Sequence, residues 1–302
     1  MPVQMPALSL AAVAGRRKGT LELASEIEKR GFTGIYCPSL SDGMALCEAL
    51  AFVTNEISFG TSIAPIYTRP VLDHAQTTAF IHEVSGGRFS FGIGISHEPS
   101  MARMGRSLGK PLTDTRNFVE EYNAVERVGE KPPIVLATLR KKMIALAGEI
   151  GDGMVFANAA RSHMADSLSA LPAEKRGDEN FYIGNMIPTC FSEDIEAAKA
   201  VNRRTLNGYV QLPNYQNYWR EAGYVEEMDA IAAAVAAGEA ERIPSLMSDK
   251  WLADTTLFGS VSQVMEGVAA WREAGISTPI LVPSSAAGNQ MKAFEEMFAA
   301  YA

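Results

Sequence analysis

Eight short apolar runs recur along this chain, each followed by residues with helical periodicity, and no other feature narrows the possible folds so far. The runs lie at residues 9–13, 34–37, 57–63, 89–94, 134–137, 154–157, 182–188 and 279–282. Each is nearly continuously apolar, as parallel strands covered on both faces must be. Between them, residues 18–29 place Leu23, Ala24 and Ile27 on one face, residues 42–54 are rich in Ala and Leu, and residues 141–150 align Met143, Ala147 and Ile150. Alternation repeated this often predicts an α/β fold, the (β/α)8 TIM barrel, over an open sheet. Gly31 and the pair Gly86 and Gly87 stand where a helix must end and the next strand begin. Residues 202–250 break the rhythm. Tyr209, Tyr215, Tyr218, Trp219 and Tyr224 precede an Ala-rich run over 231–240, which predicts a helical insertion between strands seven and eight. No linker rich in Pro, Gly or Ser divides the 302 residues, so residues 1–302 are expected to form a single domain.

Charge narrows the partners. Asp and Glu number 35 against 27 Lys and Arg, a net charge of −8. The longest basic runs, at residues 16–18 and 140–142, are short. Phosphate backbones demand a basic surface, so nucleic acid is not expected as a partner. The cysteines Cys37, Cys47 and Cys190 are odd in number, and their spacing matches neither a disulfide framework nor a zinc site. Reduced thiols in a cytoplasmic protein and no metal are the expectation. The apolar residues 8–14 carry their basic neighbours behind them, the wrong order for a secretory leader, and they are too few to span a membrane. They are read as the first strand.

The segment SGGRFSFGIGISHE, residues 85–98, has the form of a helix end, a tight turn, a strand and a loop. Gly92 and Gly94 are read as points where backbone approaches a ligand closely, and Ser96 and His97 as candidates to line a site. Several familiar motifs fail here. A dinucleotide fingerprint needs Gly where His97 stands. A serine-hydrolase elbow needs Gly where Glu98 stands, and adjacent residues such as Ser96 and His97 rarely face each other. Neither His82-Glu83 nor His97-Glu98 has the second His of a zinc protease. His74 and His82, beside Asp73 and Glu83, are expected on the outer helical ring, in solvent or paired locally. Asp152 is expected to be a structural cap. Thr138 and Asn158, just past the fifth and sixth strands, are better placed for a ligand. The five aromatics of the insertion are read as packing its helices together, with lining an apolar pocket as the other possibility.

The run ISFGTSIAPIYTRP at residues 57–70, followed by SGGRFSFGIG at residues 85–94, resembles the luciferase-like monooxygenase superfamily. PIVLA at 133–137 with ALAGEIGDG at 145–153 agrees, as do LFGS at 257–260 and ILVP at 280–283, so the resemblance covers almost the whole chain. It implies a flavin or deazaflavin bound at the C-terminal ends of the barrel strands. Ser96 and His97 resemble the deazaflavin branch more than luciferase itself. That branch often carries a non-prolyl cis peptide after the third strand, which would be the bond Ser62–Ile63. The resemblance therefore implies cofactor contacts from Ser62, Ile63, Gly94, Ser96, His97, Thr138, Arg140 and Asn158. Relatives usually have Gly-Pro where this chain has Arg140-Lys141, which offers cations for a phosphate in place of close backbone approach. The chain also lacks the long insertion that many relatives carry between strands four and five, at residues 125–133.

Two chemistries follow from the resemblance. With coenzyme F-420, hydride moves to or from a small organic substrate, and His97 is the candidate for proton transfer or for orienting a cofactor oxygen. With reduced FMN, one oxygen atom is inserted into the substrate. A barrel that binds flavin without turnover is a further alternative. A homodimer packed through barrel helices is also implied.

Overall fold

The computed structural model describes residues 4–39, 42–103 and 105–302. In chain order the strands are β1 (Ala7–Ser9), β2 (Gly34–Cys37), β3 (Ser58–Thr61), β4 (Ala64–Pro65), β5 (Phe89–Gly94), β6 (Ile134–Ala137), β7 (Gly153–Ala157), β8 (Tyr182–Phe191), β9 (Leu257–Gly259) and β10 (Thr278–Ser284). Helices separate the principal strands, and the architecture is the (β/α)8 TIM barrel. The chain divides into two compact units, residues 1–156 with 169–184, and residues 157–168 with 185–302.

In the first unit the described pairings among β1 to β7 are parallel. Leu8 registers with Ile35, Ile35 with Phe59, Phe59 with Phe89, Phe91 with Ile134, and Leu136 with Met154. Phe59, Phe89 and Phe91 are fully buried. Burial of each such ring contributes about 2–3 kcal/mol. Helices Arg17–Lys29, Gly43–Val53 and Lys141–Ile150 lie within a residue of their expected bounds. The residues added at the ends of the second expectation are caps: the Asp42 side chain accepts from Ala45 N–H, and Thr54 ends the helix in extended backbone. Gly31, Gly86 and Gly87 take positive φ of 78°, 66° and 84°, which lets each helix end reverse into the next strand.

Three expectations need correction. The first strand is Ala7–Ser9, not residues 9–13; Val13 donates to the Ala11 carbonyl, so the chain already turns there. The third run is not one strand over 57–63. It breaks after Thr61 and resumes at Ala64. Gly92 and Gly94 both make room for neighbouring protein. A Cβ on Gly92 would collide with the Thr61 carbonyl oxygen, and one on Gly94 would lie 2.9 Å from Ala137 Cβ and 3.0 Å from Ile63 Cγ1. His74 and His82 are not in solvent, since both are buried. His74 sits with its ring centroid 5.4 Å from those of Phe91 and Phe118. Apolar neighbours on strand and helix, not local charge, decide its place.

The second unit holds β8, β9 and β10. Thr189 registers with Leu257 and Phe191 with Gly259, again in parallel. Strand β9 is not among the eight runs expected to be strands. The insertion is helical as expected, with helices Pro213–Glu221, Val225–Ala237, Ile243–Leu246 and Asp249–Thr255. Its aromatics pack together. Trp219 meets Trp251 edge to face at 4.9 Å and Tyr215 at 5.2 Å, and both tryptophans are fully buried.

Candidate active site

Three neighbouring strand ends of the first unit carry most of the expected site residues. Pro65 registers with Gly94 and Ile93 with Leu136, so the chain segments leaving β4, β5 and β6 are adjacent. Ser62 and Ile63 lie between β3 and β4, and the peptide bond joining them is cis. Ser62 N–H donates to the Cys37 carbonyl at 2.6 Å, and Ile66 N–H donates to the Gly94 carbonyl at 3.0 Å. The Ile63 side chain fills the space that a Cβ on Gly94 would need.

Past β5 the chain turns sharply. Ser96 adopts left-handed backbone with φ 65°. That turn sends the chain into a short helix, Glu98–Arg103, whose first N–H groups at Ser100 and Met101 reach the His97 carbonyl at 2.9 and 3.0 Å. His97 therefore stands at a helix start with its backbone fixed and its ring half-buried. Burial disfavours the imidazolium and holds its pKa below the ordinary histidine value. A neutral ring at neutral pH can accept a proton at one nitrogen and donate at the other.

Past β6, Thr138 N–H donates to the Val155 carbonyl at 2.9 Å, and the buried Thr138 Oγ1 has no hydrogen-bond partner. Such a group is uncommon in a folded protein and asks for an explanation. Arg140 caps helix Lys141–Ile150 by its backbone alone, its carbonyl accepting from Met143 and Ile144. Arg140 and Lys141 are exposed, at a helix end whose first N–H groups favour an anion.

Asn158 belongs to the second unit. It follows β7 with left-handed φ 57°, is buried, and donates its N–H to the Met186 carbonyl at 3.0 Å. Its side-chain amide stands beside the hydroxyls of Tyr209 and Tyr215, which burial keeps protonated. Its Nδ2 finds no acceptor in good geometry.

Sequence reading passed over two supports of the first unit's loops. Tyr67 donates to Asp114 Oδ2 at 2.7 Å, and the same oxygen accepts from Lys110 N–H at 2.9 Å. Burial and the adjacent Asp114 push the Tyr67 pKa up to about 12, so it remains a donor. Arg69 reaches Asp42 at 3.3 Å, tying the loop after β4 to the cap of helix Gly43–Val53. Both lie in or next to the run at residues 57–70, where the only signal was a Tyr and an Arg among apolar neighbours.

A cavity of about 680 Å³ opens at the other ends of these strands, lined in part by His82, Lys131, Ile134 and Asp152. Its polar groups already have partners. Asp152 accepts from Ile134 N–H at 2.8 Å, as a structural cap should, and Lys131 Nζ donates to the Asn123 and Val125 carbonyls. Among the described residues no cluster of His, Cys, Asp and Glu could hold a metal ion.

The chain is similar to proteins of known activity. The sequence profile described as luciferase-like monooxygenase matches residues 4–278. A 5,10-methylenetetrahydromethanopterin reductase of Methanolobus tindarius is 30% identical over 199 residues, spanning 57% of this chain and 61% of that protein. The coenzyme F-420-dependent tetrahydromethanopterin reductase of Methanopyrus kandleri superposes with a TM-score of 0.77 at 17% identity over 97% of both chains. An F-420-dependent secondary alcohol dehydrogenase, solved with an F-420–acetone adduct, superposes with a TM-score of 0.71 at 16% identity over 98% of both.

Proposed function

The chain belongs to the luciferase-like monooxygenase family, and from that membership we propose an oxidoreductase that uses coenzyme F-420 for hydride transfer to or from a small organic substrate. The observation that carries the reading is the group at the end of β5: left-handed Ser96 presenting a half-buried His97 whose neutral form burial favours. The F-420-dependent reductase and dehydrogenase that superpose on this chain support the deazaflavin.

The residues present fit such a cofactor. The partnerless hydroxyl of Thr138 is a polar atom that a ring edged with carbonyl and N–H groups would satisfy, and the family pattern extends a cofactor contact to Asn158. Ser62 and Ile63 offer backbone and an apolar face. Arg140 and Lys141 at their helix start offer charge to a phosphate. When bound, the deazaflavin supplies or takes a hydride at ring position 5. His97 would orient a cofactor oxygen, or hold or deliver a proton at its ring nitrogen. Ile63, packed against Gly94, keeps water from that face.

Reduced FMN with insertion of one oxygen atom is the second reading, favoured by the monooxygenases that give the family its description. We further propose a homodimer joined through barrel helices. Phe52 and Phe80, on helices Gly43–Val53 and Val71–Val84, are 66% and 46% exposed with ring centroids 6.5 Å apart, and Leu72 is 53% exposed. Exposed apolar groups so close together favour a partner surface. Three free, buried cysteines support a reducing, cytoplasmic setting.

Titration of the purified protein with coenzyme F-420 and, separately, with FMN tests the reading, followed by cofactor fluorescence and thermal midpoint. Binding of the deazaflavin alone is expected. Binding of FMN alone moves the assignment to oxygen insertion, with oxygen uptake as the next assay. Binding without turnover under any reductant leaves a flavin-binding barrel, and binding of neither overturns the assignment.

A further inference from the structure

The loop that follows β7 lies within one unit with the insertion, and the insertion's polar edges reach it at three successive places. Trp219 Nε1 donates to the Asn158 carbonyl at 3.2 Å. Ala160 N–H donates to Tyr218 Oη at 3.1 Å. Ser162 donates through N–H to Asp254 Oδ1 at 2.9 Å and through Oγ to Oδ2 at 2.6 Å. Within the insertion, Tyr224 steadies Asp254, donating to its Oδ2 at 2.9 Å. Tyr218 and Trp219 are fully buried, and Asp254 is nearly so.

These groups have few other partners available. Strand β7 ends at Ala157 and a 3-10 turn begins only at Arg161, so the backbone between is outside both the ladder and the turn. Buried backbone N–H and C=O groups must be paired, and here side chains remote in sequence pair them. The pattern is alternate: the carbonyl of 158, the N–H of 160 and the N–H of 162. A lid would rest on a loop and lift away. These contacts instead fix the loop's backbone, including Asn158 in a left-handed conformation that few residues with a Cβ adopt and Asn adopts most readily.

We infer that the insertion is a clamp on the loop after β7, and that Tyr218 and Asp254 are positioning residues for Asn158. The cofactor half of this inference rests on the oxidoreductase reading. The insertion thereby sets cofactor affinity without touching the cofactor, and its length and aromatic content serve to hold one loop.

The test compares Tyr218→Phe and Ser162→Ala with Val201→Ala, a variant of the packed cluster Cys190, Ala198 and Val201. Two quantities are read: amide hydrogen exchange over residues 158–163, and the Kd for coenzyme F-420 and for FMN relative to wild type. In Tyr218→Phe, exchange in the loop is expected to accelerate and Kd to rise about ten-fold, the size of one well-placed hydrogen bond. Ser162→Ala is expected to change both in the same direction by less, and stands in if Tyr218→Phe does not fold. Val201→Ala is expected to lower the thermal midpoint while leaving loop exchange and Kd at wild-type values. Unchanged exchange in Tyr218→Phe overturns the clamp. Faster exchange with unchanged Kd overturns the positioning role. A wild-type protein that binds neither cofactor overturns the oxidoreductase reading and the positioning role together, while loop exchange still decides the clamp.

Discussion

His74 is a histidine without a hydrogen-bonding role. It is 1% exposed, neither ring nitrogen has a partner, and Phe91 and Phe118 enclose it. Burial foremost, then Arg69, lowers its pKa to about 4, with Asp73 opposing weakly. The unfolded chain takes up a proton there near 6.5, whereas the folded chain resists until about 4. Unfolding is therefore favoured by acid. The His74 contribution is fully present above pH 6.5 and is lost as pH falls toward 4, about 3 kcal/mol across that window. His74→Leu is expected to flatten the acid side of the stability curve and raise the denaturant midpoint at pH 5, measured by urea unfolding at several pH values. A variant as acid-sensitive as wild type defeats the idea. His97 makes the opposite kind of prediction, on rate. Its pKa is depressed by burial, so activity that depends on the neutral ring should decline only below about pH 6.5. His97→Gln is expected to lower kcat about 100-fold and abolish that limb of the pH profile. Retention of the limb would assign it to another group.

At the level of elements, charged side chains that look superficial hold helix ends to strand starts. Arg88 precedes β5 and donates to the carbonyls of Ala51, Thr54, Ile57 and Ser85 and to Thr54 Oγ1. Its guanidinium also lies 5.2 Å from the centre of the Phe59 ring. Lys has one nitrogen and cannot serve that fan of acceptors. Arg88→Lys is expected to cost about 2–3 kcal/mol in denaturant unfolding, with no change in cofactor Kd. Glu28 acts alike on the start of β3. Burial alone would raise its pKa, but bonds from the N–H groups of Glu56, Ile57 and Asn55 together hold it below the usual value. The two strand glycines should separate by experiment. Gly92→Ala drives a methyl into the Thr61 carbonyl, which is backbone and cannot yield. Gly94→Ala meets mainly the Ile63 and Ala137 side chains. The first is expected to abolish soluble expression, and the second to fold with a lowered thermal midpoint.

For the whole molecule, the exposed pair Phe52 and Phe80 marks the helical face proposed to meet a second copy. Phe52→Glu places a charge there and is expected to shift a dimer to monomer in sedimentation equilibrium, with the fold retained by circular dichroism. A wild-type monomer at micromolar concentration would remove the dimer from the proposal. Among the described residues no helix is long and apolar enough to cross a membrane.

Periodicity and local punctuation carried most of the architecture. Eight apolar runs, the glycines at helix ends and the motifs at residues 57–70 and 85–94 are local signals, because strand burial and turn geometry act over a few residues. They placed seven strands within a few residues, located the insertion and gave the family, and the cis bond at Ser62–Ile63 followed from that resemblance. Tertiary structure alone decided the rest. Whether His74 met water or Phe118 depended on a helix 44 residues onward, through which Tyr122 also meets Thr78. What Gly92 made room for depended on the neighbouring strand at Thr61, and the insertion's partner was a loop 58 to 92 residues before it. Local propensity fixes which segments form helices and strands. Which polar edge finally meets which backbone group is settled by packing, where burial leaves each donor and acceptor one place to go.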